Sequence, residues 1–204
     1  MFNSITETAR VECVPRSSPP WVWVGFLFAG AFFVIGVTLV IVGMDEQTMT
    51  VYLLPIAIGG FIYWLFCVHR IHKILNEITS NSYPYTPGEA ALRHIIPFYN
   101  LIWIFKWPSE LSNYLKRQGR VNIISGGVIG AMLLLSLLLR FVDGAVGMAL
   151  LFGVTMYVSA KVKKHVKALK GVTPDQLPPL PDPRVFSRPI ENSTAPAPEV
   201  VEGQ

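Results

Sequence analysis

Four stretches of the chain are apolar and free of charged residues over lengths that suit a membrane helix. They run over residues 21–43, 49–68, 121–139 and 144–160. A helix needs roughly 20 consecutive apolar residues to cross a hydrocarbon core about 30 Å thick. We therefore predict an all-α integral membrane protein in which four transmembrane helices form one domain over residues 21–171.

The composition agrees with this class of protein. Only 15% of the residues are charged, whereas soluble domains carry roughly a quarter. The first apolar run is longer than the roughly 7–15 apolar residues of a cleavable signal peptide, and no A-x-A-like cleavage site follows it. We interpret this run as a retained transmembrane helix.

The basic residues indicate how the chain is oriented. The loop over residues 44–48 contains no Lys or Arg, whereas residues 69–120 and the segment after residue 160 contain most of them. Basic residues close to the ends of spans remain on the cytoplasmic side. We therefore predict a multi-pass protein of the cell membrane whose N- and C-termini and long loop are cytoplasmic. Arg140 is then the one basic residue on the outer side.

The second and fourth predicted spans continue as amphipathic helices. Apolar residues recur every three or four positions from Val68 to Ile78 and from Val158 to Leu169, with basic residues between them. The lysines of the second extension are Lys161, Lys163, Lys164, Lys167 and Lys170. Each basic residue near an anionic membrane surface contributes about 1 kcal/mol of attraction. We expect these lysines to contact anionic lipids, and the alternative that they only fix the topology stays open.

The long cytoplasmic loop contains a further apolar element, which we predict to be a broken helix over residues 87–118. Thr86 and Glu89 have the pattern of a capping box around a proline, and Pro97 interrupts the helix that follows. The apolar run over residues 95–107 is too short to cross a bilayer. It is typical of a re-entrant segment or of a segment at the membrane interface, and the sequence leaves both open.

We predict that any ligand or partner site of the protein lies in this segment. The candidate residues are Pro97, Tyr99, Asn100, Trp103, Lys106 and Trp107. Their aromatic members are expected in the aromatic belt at the level of the lipid head groups. Asn100 and Lys106 are expected to break the helix, and Asn100 either caps freed backbone groups or binds a ligand. After Pro108 the pattern predicts an amphipathic helix that ends near Gly119.

Small residues recur four positions apart in the predicted spans. Examples are Gly25 with Ala29 and Gly126 with Gly130. Small residues let helix backbones approach closely inside a membrane. We expect them to pack the helices of one chain, with a dimer interface as the alternative, so the oligomeric state stays open.

The predicted spans contain no Asp, Glu, Lys, Arg or His, which argues against proton-coupled transport and against carboxylate catalysis within the membrane. Cys67, His69 and His72 are close in sequence but lack a fourth ligand at the usual zinc spacing. We therefore predict no metal and no cofactor, and we expect the two histidines at the interface as polar residues. The sequence predicts no nucleic-acid partner.

A series of residues from Trp64 to Pro108 resembles the pattern of a known family. The series comprises Trp64, Arg70, Asn76, Pro84, Ala90, Ala91, Ile96 to Leu101, and Pro108. Over residues 21–165 the chain resembles a family of uncharacterised bacterial multi-pass membrane proteins, a domain of unknown function with an IP-x-x-NL segment between two pairs of spans. The resemblance implies a four-span fold and a bacterial source, and it implies no activity.

The two ends of the chain are polar. Residues 1–20 are predicted to be a flexible tail. Residues 172–204 are rich in proline and have no hydrophobic period, which is typical of a disordered segment.

From these features we predict a non-enzymatic accessory or interaction protein that binds lipids or other membrane proteins through its cytoplasmic face. One alternative is a small-solute transporter or channel, for which a broken helix is the main sign. Another is an enzyme at the membrane surface, whose candidate residues are His69, His72, His94, Glu89 and Glu110.

Overall fold

The computed structural model describes residues 15–79, 83–117 and 121–170, which form six helices joined by turns, with no strand among them. The helices are α1 (Trp23–Ile41), α2 (Glu46–Ile78), α3 (Pro87–Leu92), α4 (Tyr99–Arg117), α5 (Gly126–Val142) and α6 (Gly144–Leu169). The predicted all-α class is confirmed. The predicted tails, apart from residues 15–20, and the predicted helix end at Gly119 lie outside the described residues.

Three of the helices, α1, α2 and α6, are long and apolar enough to cross a membrane. Helix α5 is apolar but shorter, with 17 residues, which corresponds to about 25 Å. The prediction that the second and fourth apolar runs continue as helices is confirmed. Helix α2 runs without a break to Ile78, and α6 runs to Leu169.

Aspartate side chains cap the first turns of α2 and α6. The Asp45 carboxylate accepts a hydrogen bond from the backbone N–H of Thr48 at 2.9 Å at the start of α2. At the start of α6, the Asp143 carboxylate accepts from the N–H groups of Ala145 and Val146. A carboxylate at this position satisfies backbone donors that have no partner within the helix. Asp143 is therefore both the last cap of α5 and the first cap of α6.

Close contacts at glycine join the helices. Gly25 of α1 lies so near the ring of Phe152 in α6 that a Cβ atom on Gly25 would fall 2.1 Å from it. Gly126 and Gly130 of α5 lie against α4 in the same way, and a Cβ on Gly126 would fall 2.1 Å from the Cα of Ser109. The prediction that small residues pack the helices of one chain is confirmed at these positions.

The turn between α5 and α6 lies beside the middle of α1 and does not extend as far as the C-terminal end of α1. The ring of Phe32 lies against Gly144, and α1 continues for about 13 Å from Phe32 to Ile41. A groove of about 390 Å³ lies between this turn, the C-terminal end of α1 and the N-terminal end of α2. The α1–α2 pair therefore extends beyond the α5–α6 pair.

Helices α3 and α4 form a hairpin. The predicted capping box is present: the Thr86 hydroxyl accepts from the N–H of Glu89 at 3.3 Å, and the Glu89 carboxylate accepts from the N–H of Thr86 at 3.1 Å. The predicted interruption is also present, because the chain turns at Pro97 and Phe98. Phe98 has a φ of 57°, a left-handed conformation that costs a non-glycine residue about 1–2 kcal/mol.

The prediction that Asn100 and Lys106 break the helix is wrong. Helix α4 is continuous through both residues and through Pro108. Pro108 has no N–H, so it leaves the Ile104 carbonyl without its helical partner. A Cβ on Gly130 would lie 3.0 Å from this carbonyl oxygen. The backbone of α5 therefore covers the irregular turn of α4 closely.

The last residues of the predicted N-terminal tail are held by α2. The N–H and the hydroxyl of Ser17 both donate to the Glu77 carboxylate, at 2.9 and 2.6 Å. The Tyr63 hydroxyl donates to the carbonyl of Trp21 at 2.7 Å. These contacts fix the start of α1 against the second half of α2.

Candidate functional site

One face of α4 is buried and carries both tryptophans of the hairpin. Trp103, Trp107, Glu110 and Tyr114 follow one another at intervals of four, three and four residues, which places them on one helix face. All four are buried, and Trp103 has 0% of its surface exposed. The prediction that the two tryptophans lie in an aromatic belt is therefore wrong, because they face the protein interior.

Trp103 joins α3 to α4. Its indole N–H donates to the carbonyl of Ala90 at 3.1 Å. Its ring meets the ring of Tyr85 edge-on at 4.8 Å between centroids, and the Arg93 guanidinium lies 4.8 Å from its centroid. Such a cation–π contact contributes about 0.5–2 kcal/mol. The Trp103 side chain thus links α3 to α4 and contacts the positively charged guanidinium of Arg93.

Asn100 positions His94 and does not cap the backbone, so the capping prediction is wrong. Its side-chain oxygen lies 2.9 Å from Nδ1 of His94. Because an amide oxygen only accepts, Nδ1 carries the hydrogen and Nε2 presents a lone pair. The ring of His94 is 2% exposed and meets Trp64 edge-on at 4.6 Å. Burial lowers the pKa of His94 to about 4, so the ring is neutral at pH 7.

His72 also lies in this cluster, and the prediction that it sits at the interface is wrong. Its side chain is fully buried, and its ring centroid lies 5.5 Å from that of Trp107 and 6.2 Å from that of Trp103. Neither ring nitrogen has a hydrogen-bond partner among the described residues. Buried polar groups nearly always have partners, so this interior is a candidate binding site. His69, one turn earlier, is partly exposed.

Glu110 is the buried carboxyl group of the cluster. The Tyr85 hydroxyl donates to its Oε1 at 3.0 Å, and its Oε2 has no partner among the described residues. Burial raises the pKa of Glu110 to about 7, against the opposing effects of Tyr85, Lys106 and Arg93. Protonated and ionised forms of Glu110 are therefore both populated near neutral pH.

The raised pKa of Glu110 predicts a dependence of stability on pH. An unfolded glutamate titrates near 4.5, so the folded protein holds an extra proton between about pH 4.5 and 7, and stability falls as the pH rises through this window. Buried His94 acts oppositely, because its lowered pKa removes stability as the pH falls below about 6.5. We therefore expect wild type to lose stability relative to Glu110→Gln as the pH rises from about 5 to 7.

Thermal unfolding of both proteins across this range measures the difference. Subtracting the Glu110→Gln curve removes the contribution of His94, which is common to both. A difference that stays constant with pH would contradict the assignment. Glu46→Gln, at an exposed residue of α2, is the matched control and should show no such trend.

The tip of the hairpin reaches a small cavity between α2, α4, α5 and α6, which we call the tip cavity. Its polar lining consists of Asn100, Ser136 and Arg140. The remaining lining residues are Phe61, Trp64, Ile104, Leu133, Leu137 and Leu151. Its volume of about 30 Å³ is enough for a water molecule or a small ion.

The other candidate residues of the hairpin lie nearer the surface. Pro97 and Lys106 are exposed, and Tyr99 is partly buried with its ring stacked 6.3 Å from that of Trp103. The structure therefore separates the predicted site into an inner part, with Asn100 and the tryptophans, and an outer part.

The predicted lysine cluster lies on one side of α6. The exposed members are Lys163, Lys164, Lys167 and Lys170. Lys161 is partly buried, and its Nζ donates to the carbonyl of Asn122 at 2.8 Å. Val158 and Val162 are buried on the inward side of the same helix. The four exposed lysines thus form an outward cationic surface, which we call the lysine face.

Counting charges within the predicted spans gave no sign of this buried cluster, although three of its members were candidate residues of the alternative surface enzyme. His72, His94 and Glu110 come from outside those runs, and the hairpin brings them together. The spacing of the residues from Trp103 to Tyr114 was the signal that could have revealed a buried face. Among the described residues, no group of three or more His, Cys, Asp or Glu side chains could hold a metal ion.

Comparison with known proteins leaves the family open. The chain matches no family model, no curated protein and no solved structure. The resemblance to the uncharacterised multi-pass family stays a prediction, so the functional argument depends on the geometry described above.

Proposed function

We propose that the protein is a non-enzymatic accessory protein of the cell membrane that binds anionic lipids through its cytoplasmic face. The lysine face carries this proposal, since four lysines point outward from a helix whose opposite side is packed into the protein. A set of basic residues beside the apolar part of a membrane helix attracts anionic head groups. Other membrane proteins are the second class of partner.

The proposed topology has α1, α2, α5 and α6 crossing the membrane, with both termini cytoplasmic. The hairpin of α3 and α4 enters from the cytoplasmic side and returns. Contact of Asn100 with a cavity lined by residues of α5 and α6 supports a re-entrant segment over one that lies flat at the interface. Local thinning of the bilayer would accommodate its shorter length.

Neutralising the lysine face should weaken binding of anionic lipid. In the variant with Lys163, Lys164, Lys167 and Lys170 each changed to glutamine, we expect the affinity for phosphatidylglycerol to fall at least tenfold. Each lysine contributes about 1 kcal/mol at an anionic surface, and about 1.4 kcal/mol is tenfold in affinity. Titration of the lipid into the detergent-solubilised protein, with native mass spectrometry as readout, measures the change.

The matched control replaces the same four lysines by arginine, which keeps the charge and should keep the binding. Wild-type affinity in the glutamine variant, or equal loss in the arginine variant, would refute the proposal.

A photo-crosslinking residue at exposed Ile102 of the hairpin identifies the second class of partner, because lipid and protein adducts differ in mass. The same residue at exposed Ile62 of α2 reports the background of non-specific contacts.

The buried polar cluster favours a second candidate, a small-solute transporter or channel. His72, His94 and Glu110 carry buried polar atoms without partners among the described residues. Broken helices with polar groups at their break form the substrate sites of many transporters. Flux of a solute into liposomes that Asn100→Ala abolishes would favour this candidate.

A further inference from the structure

Arg140 is a partly buried cation that has no partner charge among the described residues. Its guanidinium lies 5.9 Å from the centroid of the Phe61 ring, and it lines the tip cavity. No carboxylate contributes to that lining, and Oδ1 of Asp143, three residues further on, accepts from the N–H groups at the start of α6. A charged side chain within a membrane domain normally has a partner and marks a functional site.

The other polar side chains that line the tip cavity carry no negative charge, and one of them has hydrogen-bond donors that remain unused. The side-chain oxygen of Asn100 is bound to His94, so the two N–H donors of its amide nitrogen remain. The Ser136 hydroxyl donates to the carbonyl of Leu133 at 2.6 Å, and the Trp64 indole N–H donates to Thr155 at 3.1 Å. The cavity thus offers the positive charge of Arg140 and the amide of Asn100 to one guest.

The surroundings strengthen an electrostatic interaction at this point. The remaining lining side chains are apolar or aromatic, and charge–charge attraction increases where the surroundings are less polar than water. The volume of about 30 Å³ fits a guest the size of a halide ion, or one charged oxygen group of a larger molecule.

We propose that the tip cavity binds a single anionic group between Arg140 and Asn100. A free halide such as chloride and the phosphodiester of an anionic lipid share this chemistry. The site is distinct from the lysine face, since it lies inside the helix bundle and its cation comes from α5. It does not depend on lipid binding by α6.

Stability in matched salts tests the proposal. We expect chloride to raise the unfolding midpoint of the detergent-solubilised wild type in a saturable manner relative to gluconate at equal ionic strength. The rise should reach about 3 °C or more, since a ligand that binds only the folded state stabilises it. Equal ionic strength keeps screening of surface charges the same. In Arg140→Gln this difference should vanish.

A second variant keeps the test valid if Arg140→Gln does not fold. Asn100→Asp places a carboxylate beside Arg140 and so supplies the anion within the chain. It should be stable without chloride and should not respond to it. Arg70→Gln, at a partly buried arginine outside the cavity, should keep the full response.

A parallel titration with phosphatidylglycerol at constant gluconate separates the two sources of the anionic group. Stabilisation by the lipid alone, lost in Arg140→Gln and retained when the lysine face is neutralised, assigns the site to a phosphodiester. Stabilisation by chloride alone assigns it to a free anion. If neither stabilises wild type, or if Asn100→Asp responds to chloride as wild type does, the proposal is wrong.

Discussion

Replacing Gly126 by alanine is expected to destabilise the protein by about 1–3 kcal/mol, the usual range for overpacking a tight contact. The added Cβ would fall 2.1 Å from the Cα and 2.3 Å from the N of Ser109. These are backbone atoms of α4, so the clash cannot be relieved by rotation of a side chain. The hairpin would have to move away from α5. Reversible unfolding in mixed micelles of increasing dodecyl sulfate content measures the loss.

The adjacent glycine provides the control. A Cβ on Gly127 would meet only the Ser125 hydroxyl, at 4.0 Å, and alanine is the better helix former by about 1 kcal/mol in a helix interior. Gly127→Ala should therefore be neutral or slightly stabilising. If both variants lose the same stability, the loss does not arise from the contact between α4 and α5.

Removing the indole of Trp103 should have the largest effect of any single change in the hairpin. Trp103→Ala is expected to cost about 3–5 kcal/mol, the usual loss for a fully buried tryptophan. Part of this loss is the hydrogen bond to the Ala90 carbonyl. In a continuing helix the backbone N–H of His94 would donate to the Ala90 carbonyl. Here it donates to the Ala91 carbonyl, so the indole N–H of Trp103 is the donor that Ala90 receives. The same unfolding titration measures the change.

Two further variants separate packing from hydrogen bonding. Trp103→Phe keeps an aromatic ring but leaves the buried Ala90 carbonyl unpaired, which should cost about 1–3 kcal/mol. Ile102→Ala truncates a neighbour with 64% of its surface exposed and should change stability by less than about 0.5 kcal/mol. An equal loss in Trp103→Ala and Ile102→Ala would show that the tryptophan does not hold the hairpin.

Patterns local in sequence predicted much of the fold. The capping box at Thr86 depends on residues three apart, and the interruption at Pro97 follows from the missing N–H of proline. The continuation of α2 and α6 as helices followed from the regular recurrence of apolar residues. Each of these features is decided by neighbours along the chain, so a single sequence contains the information.

The candidate site was predicted less well, because its geometry depends on contacts between distant segments. The composition of the hairpin suits an aromatic belt, and only packing against α2 and α3 decides that Trp103 and Trp107 face inward. The hydrogen bond between Asn100 and His94 requires the turn at Phe98. No pattern in the sequence predicted the left-handed conformation of Phe98. Pro108 was expected to divide two elements, but the close approach of α5 lets α4 continue through it.

The contact between Gly25 and Phe152 has a consequence for the order in which the molecule is assembled. It joins the first helix to the last, so the partner of Gly25 is made long after Gly25 itself, on the order of ten seconds later at roughly 5–20 residues per second. During that interval the small-residue face of α1 has no native cover from α6. A chain truncated before Phe152 would lack this partner, so the small-residue face of its first helix would be open to other helices in the membrane.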